Sequence, residues 1–184
     1  MDSPVFFFVD HRFCRRFARS RSMTTNGRDV NAHTCYIMCR PYKDFGRGFY
    51  LTVMKEQAEK MANRVARIYG GAPVLNIYEI SDSFMDAEGL KIKDFGEETS
   101  PEWARFVRNR KFKDYSDPEC NLDNKYDIVI GPIADDDMAL LFRQYENGMI
   151  TFENMLSGMI YKKTTNQNSF HTEKAITLLK KAGV

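Results

Sequence analysis

The chain predicts an α+β domain built on a mixed or antiparallel sheet, and two observations carry that expectation. Strand-like apolar runs at residues 74–80, 126–132 and 169–171 are interspersed with segments of helical periodicity. At 184 residues, with ordinary apolar and charged fractions, the chain is also long enough to bury a core as one globular unit.

Residues 54–69 read as the clearest helix. Ala58, Met61, Ala62, Val65, Ala66 and Tyr69 keep helical spacing on one side, and Lys55, Glu56, Lys60, Asn63 and Arg67 fill the other. Thr52 is placed to cap this helix and Gly70-Gly71 to end it. A strand over 74–80 follows, then a mostly polar connection over 81–98 with a short strand near 90–92. Ser100 caps, and Pro101 opens, a helix whose apolar side is Trp103, Phe106 and Val107. Residues 114–124 are turn-rich, and the strand over 126–132 ends in Gly131-Pro132. Asp135, Asp136 and Asp137 open a helix through Tyr145, where the helix dipole favours negative charge. Cap chemistry accounts for these aspartates more cheaply than a bound metal does. Gly148 closes that helix. Thr151 caps the next, with Phe152, Met155, Leu156, Met159 and Ile160 facing inward. Ser169-Phe170-His171 read as a late strand, and Thr172 caps a last helix over 173–182.

The stretch around which these elements are organised is residues 44–52, Asp-Phe-Gly-Arg-Gly-Phe-Tyr-Leu-Thr. On a strand, Gly46 and Gly48 share one face. A face without side chains invites close approach by a backbone or a ligand. Phe49-Tyr50-Leu51 then supplies strand propensity. A core strand with a bulge is the competing reading of the same residues.

Composition excludes several classes. The net charge of +2 makes no case for nucleic acid, although its distribution is uneven. Residues 1–42 carry seven Arg, no Lys and three Asp, hence +4, and the remainder carries −2. The Arg-rich part of residues 1–22 is the one place where a nucleic-acid or anionic surface would be bound. Otherwise residues 1–22 read as an irregular basic extension and residues 23–184 as the domain. The apolar run at residues 5–9 is too short for a membrane span and does not read as a signal peptide. Four cysteines (14, 35, 39 and 120) without an export signal point to reduced thiols in a cytoplasm. His33, Cys35, Cys39 and Cys120 fit no strong zinc pattern, and no metal site is expected.

Three stretches together resemble a bacterial family of uncharacterised domains with an ADP-ribosyltransferase-like fold. They are residues 43–52, residues 126–136 (Tyr-Asp-Ile-Val-Ile-Gly-Pro-Ile-Ala-Asp-Asp) and residues 166–175 (Asn-Gln-Asn-Ser-Phe-His-Thr-Glu-Lys-Ala). The resemblance covers about residues 40–184 and implies a mixed or antiparallel split sheet with surrounding helices. Gly48-Phe49-Tyr50-Leu51-Thr52 is also similar to the glycine-aromatic-tyrosine strand of poly-ADP-ribose polymerases, which places the chain near the His-Tyr-(Glu/Asp/Gln) branch.

That resemblance implies NAD as substrate. Tyr50 matches the tyrosine that stacks on nicotinamide, and Gln167 matches the residue that hydrogen-bonds the nicotinamide ribose. Gly46, Gly48 and Phe49 complete the nicotinamide side, and Arg47 or Arg40 would meet the pyrophosphate by charge. Glu173 stands six residues after Gln167 and reads as a capping residue. In the region of the family's Tyr-His-Gly-Ser motif this chain has Thr25, Asn26 and Gly27, with Thr25 near the histidine's place. The implied activity is NAD-dependent mono-ADP-ribosyl transfer to a protein, or to nucleic acid. The alternative is a catalytically weak module of the same fold that binds NAD or ADP-ribose, because Gln167 is neutral and the family histidine is replaced.

Overall fold

Alternation along three adjacent strands decides the architecture. The structure is a computed structural model and describes residues 5–8, 43–111, 125–160 and 164–183. In chain order the elements are β1 (Val5–Phe8), β2 (Phe49–Leu51), α1 (Lys55–Tyr69), β3 (Asn76–Glu79), a 3-10 turn (Asp82–Asp86), β4 (Ile92–Asp94), α2 (Pro101–Lys111), β5 (Ile128–Pro132), α3 (Asp136–Glu146), α4 (Phe152–Ile160), β6 (Asn166–Phe170), α5 (Glu173–Ile176) and β7 (Lys180–Gly183). They form two sheets among the described residues. One has the order β1-β3-β7 and is antiparallel throughout. The other has the order β2-β6-β5-β4, antiparallel except for the parallel pair β4–β5. The α+β class with a mixed sheet is therefore present.

In the four-stranded sheet Phe49, Phe170 and Ile128 stand in register across β2, β6 and β5, and Tyr50, Ser169 and Val129 stand in register beside them. Successive residues of a strand point to opposite faces. The face of Phe49, Leu51, Ile128 and Phe170 packs on Tyr78 from the other sheet, on Ile80 just after β3, and on Ala175 and Ile176. Phe49 meets the Tyr78 ring edge-on, with centroids 5.4 Å apart. The opposite face, at Val129, is covered by Phe45 and by Trp103, Phe106, Met138, Phe142 and Met155 of α2, α3 and α4. Both faces of this sheet are thus buried, and Tyr50, Gln167 and Ser169 belong to the helix-covered one.

Local chemistry explains most helix ends. The Ser100 hydroxyl accepts from Trp103 N at 3.1 Å, Asp135 Oδ1 from Met138 N at 2.9 Å, Thr151 from Asn154 N at 3.2 Å and Thr172 from Ala175 N at 3.3 Å. Gly70, with φ of 80°, ends α1 as its amide donates to Ala66 O. Trp103 is fully buried, and its indole N–H donates to Pro132 O at 3.1 Å, fastening α2 to the end of β5.

Several expectations are corrected. The last helix stops after one turn at Ile176. Residues 180–183 form β7 instead, because β3 offers an edge and Leu178 and Leu179 turn onto the core between the sheets. Thr52 does not cap α1. Met54 holds the cap position, and the Thr52 hydroxyl accepts from Met54 N and donates to Gln57 Oε1. Met61 and Ile160, expected to face inward, are exposed. Within the 1–22 stretch, Val5–Phe8 is not irregular: it pairs with Asn76–Glu79. Residues 44–48 are a turn and not strand, since β2 starts at Phe49 and Gly46 has φ of 97°. Thr25, Asn26, Gly27, Arg40, His33 and the four cysteines lie outside the described residues. No helix among the described residues is long and apolar enough to cross a membrane.

Two measurements check this packing. Trp103→Ala is expected to lower unfolding stability by about 3–5 kcal/mol, read from the urea midpoint. At the start of α4, a backbone amide and the Thr151 hydroxyl hold the Glu153 carboxyl below its usual range. Its contribution is present above the unfolded-state pKa and is lost as pH falls through the lower folded-state value. An NMR titration is expected to show Glu153 as more acidic than an ordinary glutamate, and Thr151→Ala is expected to raise it only part of the way, since the backbone amide, the larger cause, remains.

Candidate functional site

Lys43 O accepts from Gly46 N at 3.0 Å, closing a turn over residues 43–46. The polar backbone of this turn is satisfied by side chains from the sheet. The Tyr50 hydroxyl accepts from Phe45 N at 3.0 Å and donates to Gly46 O at 2.8 Å. His171 Nδ1 donates to Arg47 O at 2.7 Å. Asp44 Oδ2 accepts from Ala134 N at 2.9 Å and from Gln167 Nε2 at 3.2 Å. The turn is therefore held from β2, from the β5–α3 junction, from Gln167 in β6 and from His171 just beyond β6.

Tyr50 and Gln167 lie on the same sheet face. Tyr50 pairs with Ser169, and Gln167 is two residues from Ser169 on the same strand. Gln167 is buried and Tyr50 half-buried. The Tyr50 ring has the Lys43 ammonium over it, 4.5 Å from the centroid, in cation–π contact. Phe45 lies nearly parallel to it at 6.4 Å between centroids, and His171 meets it edge-on at 6.3 Å. Arg47 is exposed. Glu173 is exposed in the first turn of α5, and Thr172 rather than Glu173 makes the cap contact.

The bare side of Gly48 is not an empty slot. A Cβ there would lie 2.9 Å from the His171 ring and 3.1 Å from Phe170 O, so the imidazole occupies the space the glycine leaves. His171 is fully buried, and its Nε2 is 2.8 Å from Ser169 Oγ, which donates to Val129 O at 2.9 Å. The Arg47 carbonyl only accepts, which fixes a proton on Nδ1. The Ser169 hydroxyl bridges the ring and the β5 backbone at Val129 O. Gly131 makes room in the same way, since a Cβ there would be 3.1 Å from Phe95 and 3.3 Å from Phe45, the ring that roofs the turn.

Residues 27–181 match the sequence profile of a family described as "Protein of unknown function (DUF3990)". The chain belongs to the DUF3990 family. No curated protein and no solved structure matches it. The matched region of this DUF3990 chain includes the turn, Tyr50 and all of β6, so the hydrogen-bonded cluster lies inside the family's span.

Sequence reasoning singled out Tyr50, Gln167, Gly46, Arg47, Gly48 and Phe49. The structure brings Tyr50, Gln167 and the turn together, and it buries Phe49 on the opposite sheet face as core. Lys43, Asp44, Ser169 and His171 were not singled out. The signal that could have found them was the polar composition of β6: a buried strand reading Asn-Gln-Asn-Ser, with Gln167, Ser169 and His171 at spacing two, marks a face held by hydrogen bonds. Gly48→Ala is expected to destabilise the protein by about 1–3 kcal/mol in urea unfolding, by overpacking against His171. In a His171→Ala background the same change is expected to cost clearly less, with only the close approach to Phe170 O remaining. Equal effects in both backgrounds would show that the imidazole is not what the glycine admits.

Proposed function

We propose that this chain is an NAD-dependent mono-ADP-ribosyltransferase acting on a protein target, with an ADP-ribosyltransferase-like split-sheet fold. The observation that carries the reading is that Tyr50 and Gln167 share one sheet face on adjacent strands and are both bonded to the turn at residues 44–46. The two-sheet arrangement with β2, β6 and β5 as neighbours supports the same reading. So does Lys43: its ammonium already rests over the Tyr50 ring, and a nicotinamide ring in NAD is a flat cation that the same electron-rich surface attracts. The fit is through the ring and not through a glycine gap, because His171 fills the space beside Gly48.

In this reading Tyr50 stacks on the pyridinium once the Lys43 side chain swings aside. Gln167 accepts a hydrogen bond from a ribose hydroxyl and orients the sugar. The bond from nicotinamide to ribose breaks with its electron pair going to the ring nitrogen, and positive charge develops on the sugar. A nucleophile of the target bonds to that carbon and loses its proton to water. Arg47 is exposed, and in this reading it meets the pyrophosphate by charge. A neutral glutamine supplies a dipole and not a full charge, so turnover is slow and the acceptor must be a good nucleophile.

The test is incubation with NAD labelled in its adenylate and a cell lysate, following released nicotinamide and labelled protein. Transfer is expected, and Gln167→Ala is expected to lower it about 100-fold. Calorimetric binding of NAD with neither release nor transfer would replace this reading by the non-catalytic binding module. Absence of both binding and release would overturn both.

A further inference from the structure

Asp44 and Gln167 stand 123 residues apart in the chain, yet Gln167 Nε2 reaches Asp44 Oδ2 at 3.2 Å. The same oxygen takes the Ala134 amide at 2.9 Å. We infer that Asp44 is the positioning residue of the site: it fixes which end of the Gln167 amide is offered to a ligand. This inference rests on the proposed function for its substrate and on the hydrogen-bond geometry for its mechanism.

A carboxylate only accepts hydrogen bonds, whereas a primary amide has one accepting end and one donating end. With Asp44 ionised, the NH2 end of Gln167 must face it, and the carbonyl oxygen must point away from it. Gln167 is 8 % exposed, so the reversed orientation would set oxygen against oxygen with little water to relieve it. The amide polarity is thereby settled before any ligand arrives. The ligand group it takes is a hydroxyl donor, and the NAD ribose presents such a group. Ala134 N–H holds the carboxylate from the β5–α3 junction, and the turn carrying Asp44 is held by Tyr50, so the stacking residue and the ribose-orienting residue share one support. The carboxylate also brings formal charge within hydrogen-bond reach of a neutral residue, which polarises the carbonyl that faces the sugar.

The experiment is a double-mutant cycle, Asp44→Ala, Gln167→Glu and both together, read by urea unfolding and by nicotinamide release at varied NAD concentration and pH. Asparagine would not serve at position 44, since its oxygen could take the Ala134 and Gln167 donors as the carboxylate does. Asp44→Ala removes the acceptor and allows the glutamine amide to turn either way. Its kcat is expected to fall about tenfold while KM for NAD stays within about twofold, because orientation and not ligand contact is lost. Gln167→Glu sets two carboxylates against each other, so one is expected to hold a proton and add a step to the pH profile. The double variant removes the like charge, and is expected to be more stable than the two single effects added together and to lose the added pH step. Additive stabilities would overturn the inference, as would a kcat for Asp44→Ala equal to that of the unaltered protein. Should the unaltered protein neither bind nor cleave NAD, the functional reading fails by itself. The stability coupling then still decides whether Asp44 sets the amide.

Discussion

A buried turn whose backbone bonds to side chains is the constraint on which the candidate face depends. Buried amides and carbonyls must find partners. In the turn at residues 43–47 the Phe45 amide and the Gly46 and Arg47 carbonyls find them in Tyr50 and His171. Those partners come from β2 and from just beyond β6, strands that are themselves paired, so turn and sheet fix each other. Each bond contributes about 0.5–1.5 kcal/mol net, but leaving a buried backbone group without a partner costs about 1–3 kcal/mol. Satisfaction of the turn therefore matters more than any single bond in it.

This support determines which parts of the polar residues remain chemically relevant. The Tyr50 hydroxyl is engaged by the turn, so what Tyr50 offers a ligand is its ring. The Gln167 NH2 group is engaged by Asp44, so what Gln167 offers is its carbonyl. The aromatic surface attracts flat cations and the amide oxygen attracts hydroxyl donors. The pairing of these two preferences on one face is the chemical content of the site.

The two glycines beside Tyr50 serve different physical ends. Gly46 takes a φ of 97° in the turn, a conformation that side chains disfavour. Gly48 has no such need. It leaves room for a buried imidazole that reaches the Arg47 carbonyl on one side and Ser169 on the other. A glycine read in a sequence as an opening for a ligand can thus be an opening already filled by the protein.

Local chemistry alone determined the helix starts at Ser100, Asp135, Thr151 and Thr172, the end of α1 at Gly70, the inward set Trp103, Phe106 and Val107, and the strand at residues 128–132. Each depends on residues within a few positions of one another, and caps, φ preferences and periodicity act at that range. The tertiary structure decided the rest. It ended the last helix after one turn because β3 had an edge to pair with, and it turned residues 44–48 from strand into turn because Tyr50 and His171 were there to satisfy it. It also set Asp44 against Gln167. A hydrogen bond between residues more than a hundred positions apart leaves no local periodicity, since its energy exists only once the strands between them have paired.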